Sequence, residues 1–81
     1  KIFSTAVFSK DGKYLVTGSP ARRLNLWDVQ TGEEIKSWRV TPRAGTRPQT
    51  AVVYAVGFWN DNKVISESSS GLAEIWPIQS N

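Results

Sequence analysis

An internal repeat is the feature that most restricts how this chain of 81 residues can fold. Phe8 aligns with Phe58 at an offset of 50 residues, and after deletion of one residue Trp27 aligns with Trp76, 49 positions later. Repeats of this length are typical of solenoids, propellers and arrays, in which each unit buries its apolar face against the next unit. The sequence therefore predicts two similar units, each of which needs a neighbouring unit to bury its apolar face.

Each unit reads as short β-strands separated by turn signals. In the first copy, apolar and β-branched runs are interrupted at residues 10–12, 19–23 and 30–32, which predicts four strands. In the second copy, interruptions at residues 60–62 and 69–71 predict three strands. A helix would need apolar residues three and four positions apart over a longer unbroken stretch. The sequence therefore predicts an all-β fold of antiparallel sheets.

The chain divides into three parts on this pattern. Residues 1–38 form the first unit and residues 51–81 form a second unit that lacks its outer strand. Between them, residues 39–50 contain proline, glycine and arginine without an acidic residue, which predicts a basic loop. The cut through the second unit indicates a piece of a larger assembly.

Composition argues against enzymatic chemistry. The chain has no cysteine and no histidine, so it lacks a Ser–His pair, a thiol nucleophile and an ordinary zinc site. Its carboxylates are scattered among turns, and no glycine-rich phosphate loop opens a helix. We therefore expect no enzyme, no cofactor and no metal. No apolar run approaches the ~20 residues of a membrane span, so we also expect a soluble protein without a membrane partner.

Two segments carry a resemblance to a known family. Residues 7–32, "VFSKDGKYLVTGSPARRLNLWDVQTG", resemble a WD40 repeat in the FSxDG turn, the LVTGS strand and the Trp-Asp ending. Residues 55–78 resemble a second, degenerate repeat, with Asn62 in place of the turn glycine and Pro77 in place of the aspartate. The resemblance implies antiparallel, four-stranded β-propeller blades, about two of them, belonging to a larger or homo-oligomeric ring.

The resemblance also implies roles for aromatic residues. In a propeller the tryptophan of each third strand fills the space between neighbouring sheets, where large aromatic rings bury much area. On this basis the structural packing residues are Trp27, Trp76, Phe8, Phe58 and Trp38.

A polar network that many blades of this family contain is expected to be absent. The network joins a histidine, a turn aspartate, a Ser or Thr of the second strand and the tryptophan. This chain has no histidine, and the turn positions are Ala21 and Ser70. We therefore expect packing to stabilise both units, and Thr17 and Ser66 to have no special role.

Arginine is concentrated where one edge of the sheets is expected. In a meander, alternate turns emerge at opposite edges, so the second turn of a unit and the connection to the next unit share one rim. That rim is predicted to carry five residues: Arg22, Arg23, Arg39, Arg43 and Arg47. Arginine binds phosphate and carboxylate through parallel hydrogen bonds, which favours an acidic peptide, a phosphorylated protein or an RNA backbone as partner. The alternative is a solvated loop whose charges only keep the surface hydrated.

These observations favour a scaffold that binds other proteins, or the remaining blades, and that can belong to a ribonucleoprotein. The alternative is a small self-assembling unit that forms a homo-oligomeric ring with a structural role. The absence of cysteine fits a reducing compartment inside the cell, cytoplasm or nucleus. Residues 39–58 and 64–76 are also similar to WD-repeat scaffolds of small-subunit ribosome assembly, which implies the nucleolus.

Overall fold

Seven β-strands form the regular structure of the described part of the chain. A computed structural model describes residues 3–45 and 47–79, so residues 1, 2, 80 and 81 of the predicted units and residue 46 of the predicted loop lie outside the described residues. The strands are β1 (Thr5–Phe8), β2 (Tyr14–Gly18), β3 (Arg23–Asp28), β4 (Glu34–Arg39), β5 (Val53–Asn60), β6 (Lys63–Ser68) and β7 (Ala73–Pro77). The described residues contain no helix, which confirms the all-β prediction.

Two antiparallel sheets contain these strands. The N-terminal sheet has the order β1-β2-β3-β4 and the C-terminal sheet has the order β5-β6-β7, so each strand pairs with the next strand in sequence. The prediction of four strands followed by three is therefore confirmed. Local turn chemistry explains the hairpins, since Gly12 and Gly32 adopt φ of 76° and 75° in the turns after β1 and β3.

The core lies between the two sheets. Side chains alternate between the faces of a strand, and Val16, Leu24 and Leu26 of the N-terminal sheet are fully buried on one face. Val53 and Val64 of the C-terminal sheet are buried against them. Partly buried side chains pack around this cluster; they include Trp38, Val56, Phe58, Trp76 and Ile78.

Gly18 lies where the sheets approach each other closely. A Cβ atom at this position would overlap Val53 Cγ1 and would lie 3.0 Å from Thr5 Cγ2. Next to it, the Val53 amide donates a hydrogen bond of 3.0 Å to the carbonyl oxygen of Ser19. The absence of a side chain at residue 18 therefore allows β5 to pack against β1 and β2.

A second group of contacts joins β4 to the end of the C-terminal sheet. The rings of Trp38 and Trp76 are 6.4 Å apart between centroids and tilted by 31°. The ammonium group of Lys36 lies 5.8 Å from the Trp38 ring centre and donates a hydrogen bond of 3.3 Å to the carbonyl oxygen of Ile78. Aromatic packing, a cation–π contact and a hydrogen bond thus together join β4 to the end of the C-terminal sheet.

Within the described residues, no third sheet packs on the outer face of either sheet. Trp27 lies on the face of the N-terminal sheet opposite Leu26, and its ring contacts Phe3 edge-on at a centroid distance of 6.1 Å. Phe8 is 62% exposed, so the chain does not bury this predicted packing residue. The physical reason is that no sheet covers its face within the described chain. On the outer face of the C-terminal sheet, Ile75 is 45% exposed.

Candidate functional site

One edge of the N-terminal sheet carries the turn between β2 and β3 and the start of the connection after β4. The Ser19 amide donates to the Arg23 carbonyl at 3.0 Å, which closes the turn. Arg22 adopts the left-handed region with φ of 67°, and its carbonyl oxygen accepts a hydrogen bond of 3.1 Å from the Val40 amide. The two segments are therefore joined through the backbone, as a meander requires.

A cleft of about 550 Å³ opens at this edge, and we call it the arginine cleft. Arg22, Arg23 and Arg39 line it together with Phe3 and Gln49, and the described lining residues include no aspartate or glutamate. Pro20 and Ala21 add apolar surface, and Ser19 and Asn25 add neutral polar groups. The arginine cleft thus combines three cations with neutral walls.

The cations of the cleft have few acceptors. Arg23 and Arg39 face each other directly across the β3–β4 pair, an arrangement that places like charges on neighbouring strands. Within the described chain, neither of these two side chains forms an ion pair. Arg22 donates through Nη1 to Gln49 Oε1 at 3.1 Å, while its buried Nε has no acceptor among the described residues. The cleft therefore presents an excess of positively charged donors.

The predicted rim of five arginines is divided in the structure. Arg23 begins β3 and Arg39 ends β4, so both belong to strands rather than to the turn and the loop where the sequence placed them. Arg47 lines a separate cavity of about 580 Å³, and Arg43 lies in the connection, where its amide donates to the Thr50 carbonyl at 2.9 Å. Among the described lining residues, Gln49 borders both cavities. The structure thus groups three of the five arginines in the arginine cleft.

Apart from Ser19, Pro20 and Ala21 of the predicted turn, sequence reasoning missed three cleft residues. Phe3 precedes β1 and is 42% exposed, and nothing in the sequence indicated that it lines a site. Gln49 lies 27 residues from Arg22 and meets it only through the fold. Asn25 did carry a signal, because its asparagine side chain stands between Leu24 and Leu26 in an apolar stretch. In the structure it is 2% exposed, which is unusual for an amide side chain. Its side chain donates a hydrogen bond to the Glu34 carboxylate.

The two repeat tryptophans make the same hydrogen bond. Trp27 Nε1 donates to Thr17 Oγ1 at 2.9 Å, and Trp76 Nε1 donates to Ser66 Oγ at 3.0 Å. The prediction that Thr17 and Ser66 have no special role was wrong. The bond needs only an indole and a hydroxyl that are diagonal neighbours on one face of two paired strands, so it forms without a histidine.

The opposite edge of the N-terminal sheet contains a turn that is ordered by hydrogen bonds to Asp11. Asp11 Oδ1 accepts hydrogen bonds from the Lys13 amide at 3.0 Å and from the Ser9 hydroxyl at 2.7 Å. The pKa of the exposed Asp11 carboxyl is lowered from its ordinary value of 3.8. The largest cause is the hydrogen bond from the Lys13 amide, and the second is the hydrogen bond from the Ser9 hydroxyl. They stabilise the ionised form and fix the turn.

Other classes of site find no support in the described chain. No group of three His, Cys, Asp or Glu residues among the described positions is arranged to hold a metal ion. The described part of the chain contains no helix that is long and apolar enough to cross a membrane. No protein-family model matches the sequence, and no curated protein matches it. The arginine cleft is the candidate functional site of the described chain.

Proposed function

We propose that this chain comprises two blades of a WD40-type β-propeller that serves as a binding scaffold, with the arginine-rich rim as the surface for an anionic partner. The proposal rests on the observation that residues aligned by the sequence repeat occupy equivalent positions in the two packed sheets. Trp27 and Trp76 occupy the third strand of their sheets, and both donate to a hydroxyl of the second strand.

The two sheets stack in the same sense. Inside the molecule, the Trp76 face of the C-terminal sheet packs on the Leu26 face of the N-terminal sheet. The repeat aligns Leu26 with Ile75 and Trp27 with Trp76, both at an offset of 49. The Trp27 face therefore corresponds to the packed Trp76 face, and the Ile75 face corresponds to the packed Leu26 face. Together, the two exposed faces could form another interface of the same kind. Further sheets stacked on both sides, as in a propeller, would bury them.

The same observation favours a second candidate, a self-assembling unit. A head-to-tail contact between copies would place the Ile75 face of one chain on the Trp27 face of the next, and such contacts close into rings when the rotation permits. In both candidates the edge strand β7 of the described C-terminal sheet would pair with a fourth strand, as exposed edge strands tend to do.

Solution mass separates these two candidates. Light scattering with circular dichroism on the same sample of the 81-residue chain would give one folded species of three or four copies for a self-assembling ring. A monomer, or a polydisperse sample with a weak β signal, supports a segment of a longer propeller.

The anionic-partner surface has its own experiment. We expect a fluorescently labelled octaglutamate peptide to bind the chain with a salt-dependent affinity, because neutralised charges release counterions. Replacing all five arginines by glutamine should weaken this binding and flatten its salt dependence. A control removes three cations from the opposite edge by the changes K10Q, K13Q and K63Q, and it should weaken the binding much less per charge removed than the arginine variant does. Equal binding and an equal salt slope in the arginine variant would contradict the proposal.

A further inference from the structure

The arginine cleft contains three cations that form no ion pair with the described residues, and we infer that it binds one oxyanion group, a carboxylate or a phosphate, carried by a peptide segment of a partner protein. This inference rests on the proposed rim function and narrows it from five arginines to three. The ligands are the side chains of Arg22, Arg23 and Arg39.

Contacts with its neighbours hold the backbone and side chain of Arg22 in place. Its backbone sits in the left-handed region at φ of 67°, its carbonyl oxygen binds the Val40 amide, and its Nη1 is fixed by Gln49. The Nε–H group is buried and has no acceptor within the described chain. A charged group with an unpaired donor is unfavourable, so a negative charge bound in the cleft beside the Arg22 guanidinium should be stabilising.

Arg23 and Arg39 provide a second, paired element. They occupy directly opposed positions on β3 and β4, so their side chains leave the same face of the sheet. Two like charges in this arrangement repel each other, and an anion between them converts the repulsion into two attractive contacts. Because each guanidinium is a planar fork, the pair can hold both oxygens of a carboxylate or two oxygens of a phosphate.

The surroundings favour a peptide over RNA. The three arginines converge on one cleft of about 550 Å³, whereas Arg47 lines a different cavity, so the charges do not follow an extended backbone. The aromatic residue of the described lining, Phe3, already contacts Trp27 edge-on, which leaves no row of rings on which successive bases stack. Pro20 and Ala21 offer apolar contact for residues that flank an acidic side chain.

The side-chain Nε–Hε signals of the five arginines in a ¹⁵N–¹H correlation spectrum report this site directly. The unaltered chain is titrated with capped Ala-Ala-Glu-Ala-Ala, with the same peptide carrying phosphoserine at the centre, and with a five-uridine RNA. We expect the peptides to shift the Arg22, Arg23 and Arg39 signals more than those of Arg43 and Arg47. The tighter of the two peptides identifies carboxylate or phosphate as the preferred group. Unshifted cleft signals, or larger shifts of all five with RNA, would overturn the inference.

Variants then distinguish this inference from the rim proposal. The triple change R22Q, R23Q and R39Q should weaken binding of the preferred peptide at least about tenfold, since charge-assisted hydrogen bonds are lost. The control K10Q, K13Q and K63Q removes the same number of charges from the opposite edge and should leave the affinity nearly unchanged. If R43Q with R47Q weakens binding and the triple change does not, the rim proposal stands and the cleft site falls. If neither set matters, both fall.

Discussion

Gly18 offers a sharp test of the packing between the two sheets. In the Gly18→Ala variant the new Cβ would overlap Val53 Cγ1 and would lie 3.0 Å from both Val53 Cβ and Thr5 Cγ2. Val53 is fully buried and β-branched, so its side chain has little freedom to turn away. The methyl group therefore has to push β5 away from β2 or force Val53 out of its rotamer.

The expected cost follows from two opposing effects. Overpacking a well-filled core costs about 1–3 kcal/mol. Replacing glycine by alanine also reduces the freedom of the unfolded chain, which stabilises by about 0.4–1 kcal/mol where the backbone is compatible. The net expectation for Gly18→Ala is a loss of about 1–2 kcal/mol in the free energy of unfolding. For a domain of this size that corresponds to a fall in Tm of very roughly 4–16 °C.

Gly57→Ala is the matched control. Its Cβ would meet only Ile65 Cγ2, at an ordinary contact distance of 3.6 Å, so its free energy of unfolding should change little or rise slightly. Urea unfolding followed by tryptophan fluorescence measures both variants. If Gly18→Ala is as stable as Gly57→Ala, the two sheets do not approach each other as described.

A double-mutant cycle with Val53→Ala identifies the partner atom. Val53→Ala removes Cγ1, so the cost of Gly18→Ala should be smaller in that background, with a coupling of about 0.5–3 kcal/mol between the two changes. An equal cost of Gly18→Ala in both backgrounds would show that the methyl group meets something other than Val53.

Three further predictions concern single hydrogen-bonded groups. Ser66→Ala leaves the Trp76 indole N–H without its acceptor beside the core and should lower the free energy of unfolding by about 1–2 kcal/mol in urea; no loss would mean that the bond contributes nothing. Thr41 donates its hydroxyl to the Glu74 carboxylate at 2.7 Å, so Thr41→Glu, which places two carboxylates together, should lower Tm more than Thr41→Val does; the reverse order would contradict this contact. The Asp11 carboxyl should titrate below 3.8 by NMR. Because its folded pKa is lowered, its contribution to stability is present above 3.8 and is lost as the pH falls through the folded value; Asp11→Asn should remove that part of the acid dependence.

Local signals carried most of the fold prediction. The turn at Asp11 and Gly12 depends on hydrogen bonds within a few residues and on a positive φ that glycine adopts freely, so its position is readable from the sequence. The same holds for the hairpin that contains Gly32. The repeat then indicated that Trp27 and Trp76 occupy corresponding strands, because equal spacing in sequence places them at equal positions in two meanders.

The candidate site was only partly predictable. The alternation of turns placed arginines at one edge, and that part follows from meander topology alone. Which of them meet depends on where the strands end, and Arg39 lies opposite Arg23 through the register of β3 and β4. Gln49 and Phe3 join the cleft through contacts between distant segments, for which the sequence has no local signal.

The sequence by itself thus determined the number, order and type of the strands and the repeat that relates the two sheets, because turn chemistry and strand alternation act over a few residues. Only the tertiary structure decided that Phe8 is exposed while Trp76 packs against the core, and that Arg22, Arg23 and Arg39 share a cleft. The physical reason is that burial and charge clustering depend on which faces and edges meet after the chain has folded, and those contacts join residues far apart in sequence.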